Sequence, residues 1–254
     1  MAPLFLMFVT LSQFQNPNLS RAKMISTTVV VGMKLEAWIV RQPGIRVVCG
    51  FNGSMLAALH ADIVRDRRGL ISFGVAGGLA PNLRSGTWIV GSDILYGETR
   101  FATHRLWSKN ILARMPNAIY GTIAGASAPI AQPDAKRALH IETGAVAVDL
   151  ESHIVANLAV AHGLPMVAVR VIVDPAEHAL PRAAVVALCS DGAIDLAALI
   201  RLAIEYPREF PGLLRTALDA LFAGTALIRG RQILDSHIAF ADAEQRNTLD
   251  LMNG

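Results

Sequence analysis

Apolar positions along the chain fall into two patterns, short uninterrupted runs rich in β-branched residues and longer stretches with helical spacing. Thr27–Val31 and Ile45–Cys49 read as buried strands, and residues 54–64 as a helix ending beside Arg65, Arg67 and Arg68. Leu70–Gly74 predicts a third strand running into a glycine-rich turn, Gly74 to Gly78. Pro81 and Gly86 then bound a loop before a strand at Thr87–Leu95. Tyr96–Lys109 reads as a polar and aromatic loop, residues 111–131 hold further strand material, and Asp134–His140 predicts a short helix. Ala145–Val148, Glu151–His162 and Met166–Val173 follow as strand, helix and strand, with Gly163 and Pro165 as helix stop and turn. The tail is helical at Ala183–Leu188, Ala193–Glu205, Leu213–Leu227 and Ile233–Ala243, with Pro207 and Pro211 separating two of these segments.

The strand-helix-strand unit at 145–174 has the length of a right-handed parallel crossover. On that reading Glu151 and Asp174 both follow the carboxyl ends of parallel strands, the edge at which open α/β sheets bind ligands. Taken singly, Glu151 is also a carboxylate suited to a helix amino terminus with Asp149 as N-cap, and Asp174 before Pro175 also suits a turn.

Composition narrows the class. With 254 residues, 53% hydrophobic and 17% charged, the chain can bury a large core of the kind compact α/β enzymes have. We expect one catalytic domain over 24–254 after a disordered extension at 1–23. The net charge of +3 comes from scattered arginines. The cluster at 65–68 reads as a solvated helix end, with nucleic-acid contact the lesser alternative. Cys49 and Cys189 lack metal-binding spacing and read as reduced thiols of a cytoplasmic protein, and no metal site is expected. MAPLFLMFV is far shorter than the roughly 20 residues that span a bilayer, so any lipid contact is expected to be peripheral.

The candidate chemistry concentrates in a few places. Gly50 and Gly53 lie between strand and helix without a complete dinucleotide fingerprint, which leaves a tight turn or a local anion nest. The glycines of SFGVAGG allow either a sharp turn or close approach of backbone to a ligand. Arg170, four residues before Asp174 in an apolar strand, requires a carboxylate partner. His153 reads as a packed or partly exposed helical residue. Tyr96, Phe101, His104 and Trp107 suggest either an apolar rim for a large substituent or a loop anchored by aromatics.

VGMKLEA near 31–37, SFGVAGGLAP at 72–81, and AVAVDLES with VRVIVDPA at 145–176 together resemble the nucleoside phosphorylase and nucleosidase superfamily. The tail from Leu180 resembles its hopanoid-associated phosphorylases. The resemblance implies an α/β, three-layer fold with a central mixed sheet, partly closed into a barrel and flanked by helices. It implies cleavage of the N-glycosidic bond of a 5′-substituted adenosine, adenosylhopane in the first instance, with inorganic phosphate as co-substrate and no cofactor. Hydrolysis of the same bond and noncatalytic nucleoside or lipid binding are the alternatives. Asp174 then matches the acid that protonates the purine. Glu151, with Leu150, matches the ribose-binding position, and Glu36 the acid that orients an attacking water. Gly74, Val75, Ala76 and Gly77 would line the sugar and nucleophile. Ser72 and Val75 stand where phosphorylases usually carry an Arg and a Ser or Thr. Phosphate would therefore rely on Gly50, Gly53, Ser54 and the Gly74–Gly77 backbone, helped by Arg46, Lys34 or a neighbouring subunit. Val173 replaces a common Ser, and ASAPIA lacks the aromatic that stacks on the base in many relatives. Homo-oligomerisation and a small-molecule or lipid-nucleoside substrate complete what the resemblance implies.

Overall fold

A computed structural model describes residues 27–41, 45–50, 56–61, 69–187 and 193–234. The strands are β1 (Thr28–Val31), β2 (Arg46–Cys49), β3 (Leu70–Gly78), β4 (Trp88–Tyr96), β5 (Thr99–Ala102), β6 (Ile119–Gly125), β7 (Ala147–Asp149) and β8 (Met166–Asp174). The helices are α1 (Lys34–Val40), α2 (residues 56–61), α3 (Arg105–Leu112), α4 (Pro133–Thr143), α5 (Ser152–His162), α6 (Arg182–Val186), α7 (Leu196–Glu205) and α8 (Phe210–Leu234). Residues 1–23, the basic cluster at 65–68, Gly53, Ser54, Cys189 and the helix expected beyond residue 234 lie outside the described residues.

Strands β3, β8, β4, β6 and β7 close on one another. β3 pairs parallel with β8, β8 antiparallel with β4, β4 parallel with β6, β6 parallel with β7, and β7 antiparallel with β3. β1 and β2 extend the sheet in parallel from β3, and β5 folds back on β4. This is the mixed, partly barrel-closed sheet expected. Its apolar strands are continuous because both faces are covered. Val167, Val169 and Val171 of β8 pack with Trp107 of α3 and with Ala223 and Leu227 of α8. Met166, Ala168 and Ile172 pack with Val155 and Leu158 of α5 on the other side.

Three local expectations need correction. The parallel crossover at 145–174 does not form, because β7 runs antiparallel to β3 while β8 runs parallel to it. The glycine stretch is not a turn after β3 but its second half. Gly77 pairs with Val148 on one side and Asp174 on the other, with a register shift between Ala76 and Gly77. The polar segment after Tyr96 is ordered as β5 and α3. Gly97, at φ 57°, closes the hairpin, and the Trp107 amide donates to His104 Nδ1 at 3.3 Å to cap the helix. Pro207 and Pro211 do separate two helices, α7 and α8, and Pro211 lies in the first turn of α8, where a missing N–H has no intrahelical acceptor to lose.

Gly230 seats the end of α8, because a Cβ there would lie 2.0 Å from Cζ2 of Trp88. Gly230→Ala is expected to cost about 1–3 kcal/mol in urea unfolding. Gly224→Ala on the same helix, with nothing within 4 Å of its added methyl, should be neutral or stabilising by up to about 1 kcal/mol.

Candidate active site

Two carboxylates, Glu151 and Glu36, reach their places because two glycines have no side chain. A Cβ on Gly32 would stand 2.1 Å from Glu151 Oε1, and one on Gly74 would stand 2.4 Å from Glu36 Oε1. A Cβ on Gly77 would lie 3.7 Å from Asp174 Oδ2. Gly74 also has φ +150°, which an L side chain rarely adopts. The close backbone approach expected of this stretch therefore exists, and at Gly74 it admits the protein's own Glu36. Sequence reasoning assigned Gly32 no role, and its only signal was a glycine between β1 and α1.

Glu36 sits in the first turn of α1, where it reaches back to accept the Met33 amide on Oε2 at 2.8 Å. Its Oε1 accepts the Val75 amide at 2.7 Å, tying α1 to β3. Glu151 begins α5 but makes no side-chain cap. That work falls to Asp149, which accepts the Ser152 amide at 3.0 Å and the Ser152 hydroxyl at 2.5 Å.

Arg170 joins these elements. It is fully buried on β8, directly opposite Gly74 in register. Its Nε donates to Asp149 Oδ2 at 2.5 Å, and its Nη2 donates to the hydroxyls of Ser72 (2.5 Å) and Ser152 (3.0 Å) and lies 3.2 Å from Glu151 Oε2. The carboxylate pairing expected of Arg170 is present, with Asp149 and Glu151 as partners. Its Nη1 has no hydrogen-bond partner and lies 2.8 Å from where a Gly74 Cβ would be. Burial pushes Glu151 up to about 8, against the pull of Arg170 and reinforced by Asp149 and Glu36. Burial also raises Glu36, against Arg170 and its amide donors.

Asp174 ends β8 beside a second buried cation. Lys136 of α4 is fully buried, and its ammonium donates to Asp174 Oδ2 (2.5 Å), Pro175 O (3.0 Å) and His178 O (2.8 Å). Burial raises Asp174 to about 6, while Lys136 holds it lower than burial alone would. Lys136 was not singled out from sequence, since a lysine beside Arg137 in a polar helix reads as solvated.

Glu36, Val75, Ala76, Gly77, Leu150, Glu151 and Asp174 line one cavity of about 150 Å³, together with Met33, Asp149, Val173, Leu180 and the apolar segment Ala128, Pro129 and Ile130. The expected residues are thus brought together apart from four, Gly74, Gly50, Gly53 and Ser54, and Gly74 instead lies beneath Glu36 without lining this cavity. The Gly50 amide donates to Val31 O at 2.9 Å, which leaves it no proton for an anion, and Gly53 and Ser54 lie outside the described residues. A second cavity of about 580 Å³ shares Met33, Val75, Pro129, Val173, Asp174 and Leu180 with the first. Its remaining wall is apolar and comes mostly from α6, α7 and α8, including Val185, Leu199, Ile200, Phe210, Leu213 and Leu214. Of the two readings of the aromatics at 96–107, the anchored segment is the one observed, since they line neither cavity. Trp107 is fully buried in the core and Tyr96 stacks on His153 with ring centroids 4.1 Å apart.

The closed mixed sheet, with carboxylates gathered where β3, β7 and β8 meet, defines an enzyme of the nucleoside phosphorylase and nucleosidase class. The chain belongs to the phosphorylase superfamily, which it matches over residues 22–205. Its fold is similar to that of 5′-methylthioadenosine/S-adenosylhomocysteine nucleosidase from Helicobacter pylori, at TM-score 0.60 and 15% identity over 84% of this chain and 97% of that one. Futalosine hydrolase of Helicobacter pylori gives 0.58 and 15% over 84% and 97%. The nucleosidase of Neisseria meningitidis gives 0.56 and 17% over 84% and 99%. No curated protein matches the chain in sequence.

The raised Glu151 makes stability depend on pH. A carboxyl raised in the fold is favoured in its protonated form, so its contribution is complete below about 4.5 and is lost as pH rises through about 8. Glu151→Gln should therefore melt with the wild type near pH 5 and several degrees above it at pH 8 in calorimetry.

Proposed function

We propose that the protein releases adenine from a 5′-substituted adenosine bearing a large apolar 5′ group, of which adenosylhopane is the representative. The observation that carries this reading is the joining of two cavities at Asp174, one lined by carboxylates and one by apolar side chains. In the reaction the ribose acquires oxocarbenium character and the departing purine gains negative charge. Asp174, raised to about 6, gives its proton to purine N7 as the bond from sugar C1′ to base N9 breaks. Glu151 and the Leu150 backbone beside it bind the ribose hydroxyls, and the Glu151 carboxylate stabilises the cationic sugar. Glu36 orients the nucleophile near Val75 and Ala76. The 5′ group extends between α6, α7 and α8.

Water is the nucleophile this lining favours. Glu36, Asp149 and Glu151 face the first cavity, and no lysine or arginine is among its described lining residues. A phosphate dianion entering there finds no basic side chain among the described lining residues to neutralise it. The structurally similar proteins are named as nucleosidases and a futalosine hydrolase, which supports the same reading. Phosphorolysis, giving a phosphorylated ribosyl lipid, is the second reading. It is favoured by the sequence at 50–54, whose glycines precede the helical residues 56–61.

Incubation with the adenosyl substrate, with and without phosphate, followed by mass measurement of the sugar product, separates the two. Free ribosyl product without phosphate is the expected result, and strict dependence on phosphate would establish phosphorolysis. Asp174→Asn should lower kcat by about 10²–10⁴. Lys136 acts through Asp174 and is a positioning residue. Removing the cation raises the carboxyl further, so Lys136→Met should move the alkaline limb of kcat/KM above its wild-type position near pH 6. An unmoved limb in a folded variant would exclude this role.

A further inference from the structure

The second cavity is open on one side. Ile194, Ile200, Phe210 and Leu214 line it and are each more than half exposed, so its mouth lies between α7 and α8 and is framed by large apolar side chains. From that mouth the apolar surface continues along α8. Phe210, Leu214, Leu218, Leu221 and Ile228 recur at helical spacing on its outer side, and Phe222 widens the stripe. The inner side is clamped to the body of the protein. Ala223 and Leu227 are buried in the core, and Asp219 accepts the Ser85 hydroxyl at 2.6 Å and lies 2.9 Å from His178 Nδ1.

By length and composition α8 could cross a membrane. Its clamped side and its contacts with β8 and α1 oppose a spanning arrangement and leave one long side facing outward. The exposed charges on α7, α8 and the turn between them are mainly basic. Arg201, Arg208, Arg215 and Arg229 have no carboxylate partner among the described residues, whereas the acids at this surface are Glu205, the α7 cap Asp195 and Glu209, which is paired with Arg182. An apolar helical side bordered by arginines suits an anionic bilayer surface.

We propose that the α7–α8 face docks on an anionic lipid surface, with α8 lying flat at headgroup level and the cavity mouth opening into the bilayer. The docking rests on the exposed face itself. Passage of an apolar tail from the bilayer into the cavity rests on the substrate reading above. A second copy of the chain is the rival occupant, but packed on this face it would cover Ile200, Phe210 and Leu214 and close the mouth.

The test is co-sedimentation of the full chain with phosphatidylcholine vesicles, with and without phosphatidylglycerol. The wild type should sediment with the anionic vesicles, less so as salt is raised. The double variant Leu218→Glu, Leu221→Glu changes exposed residues that line neither cavity. It should lose about tenfold or more in vesicle affinity, while keeping wild-type melting and wild-type turnover of a short-chain 5′-alkyl adenosine in lipid-free buffer. Wild type remaining in the supernatant with both vesicles overturns the docking. So does a double variant that sediments as the wild type does, or one that splits a wild-type dimer into monomers with vesicle binding unchanged. Docking intact without turnover of any adenosine derivative overturns the substrate reading and leaves the docking in place. Turnover intact without sedimentation does the reverse.

Discussion

The buried guanidinium of Arg170 is the interaction on which the centre of the molecule depends. A charge inside a strand covered on both faces is stable only if it is paired and hydrogen-bonded. Its partners come from Ser72 on β3, Asp149 at the end of β7, and Glu151 and Ser152 at the start of α5. Removing any of these leaves part of a cation unsolvated. One side chain thereby sets the relative positions of β3, β7, β8 and α5. Gly74, opposite Arg170 in register, completes the arrangement by leaving room for Glu36 of α1 to approach without contacting the guanidinium directly.

This constraint also explains how two acids from strands of opposite direction come to one cavity. Strand β3 lies between them, with Gly77 paired to Val148 of β7 and to Asp174 of β8. A side chain at Gly77 would meet Val148 at 3.3 Å, so a small residue favours close pairing where the barrel is narrow.

How much of this was legible follows from how each element is stabilised. Strand β8 and helix α5 were visible because β-branched and helical periodicities reflect burial, and Arg170 stood out as a charge in an apolar run. Glu151 and Asp174 were placed together by a parallel crossover that does not form, Glu36 was added by resemblance, and all three do line one cavity. The direction of β7 was not legible, because a strand of three residues carries no periodic signal and its pairing is decided by barrel closure. Tyr96–Lys109 read as loop because α3 buries one side only, with Trp107 and Ile111 as its inward anchors. Lys136 was hidden for a related reason: its neighbours in sequence are polar, and only the fold of β8 and the following turn surrounds it with acceptors.

The balance of charge in the site bears on the proposed chemistry. Glu36, Asp149, Glu151 and Asp174 face two buried cations, Arg170 and Lys136. Full ionisation would leave uncompensated negative charge in a poorly solvated space, and the upward shifts of Glu36, Glu151 and Asp174 are the response. The two ends of the proposed reaction use this stored acidity differently. At Asp174 a proton held weakly, near pH 6, is available to a purine nitrogen as the base leaves. At Glu151 the developing positive charge on the sugar, like Arg170 at 3.2 Å, favours the carboxylate form that burial disfavours. An environment that disfavours its own negative charge therefore stabilises a cationic sugar more strongly than a neutral ground state. That difference, rather than tight binding of the nucleoside, lowers the barrier.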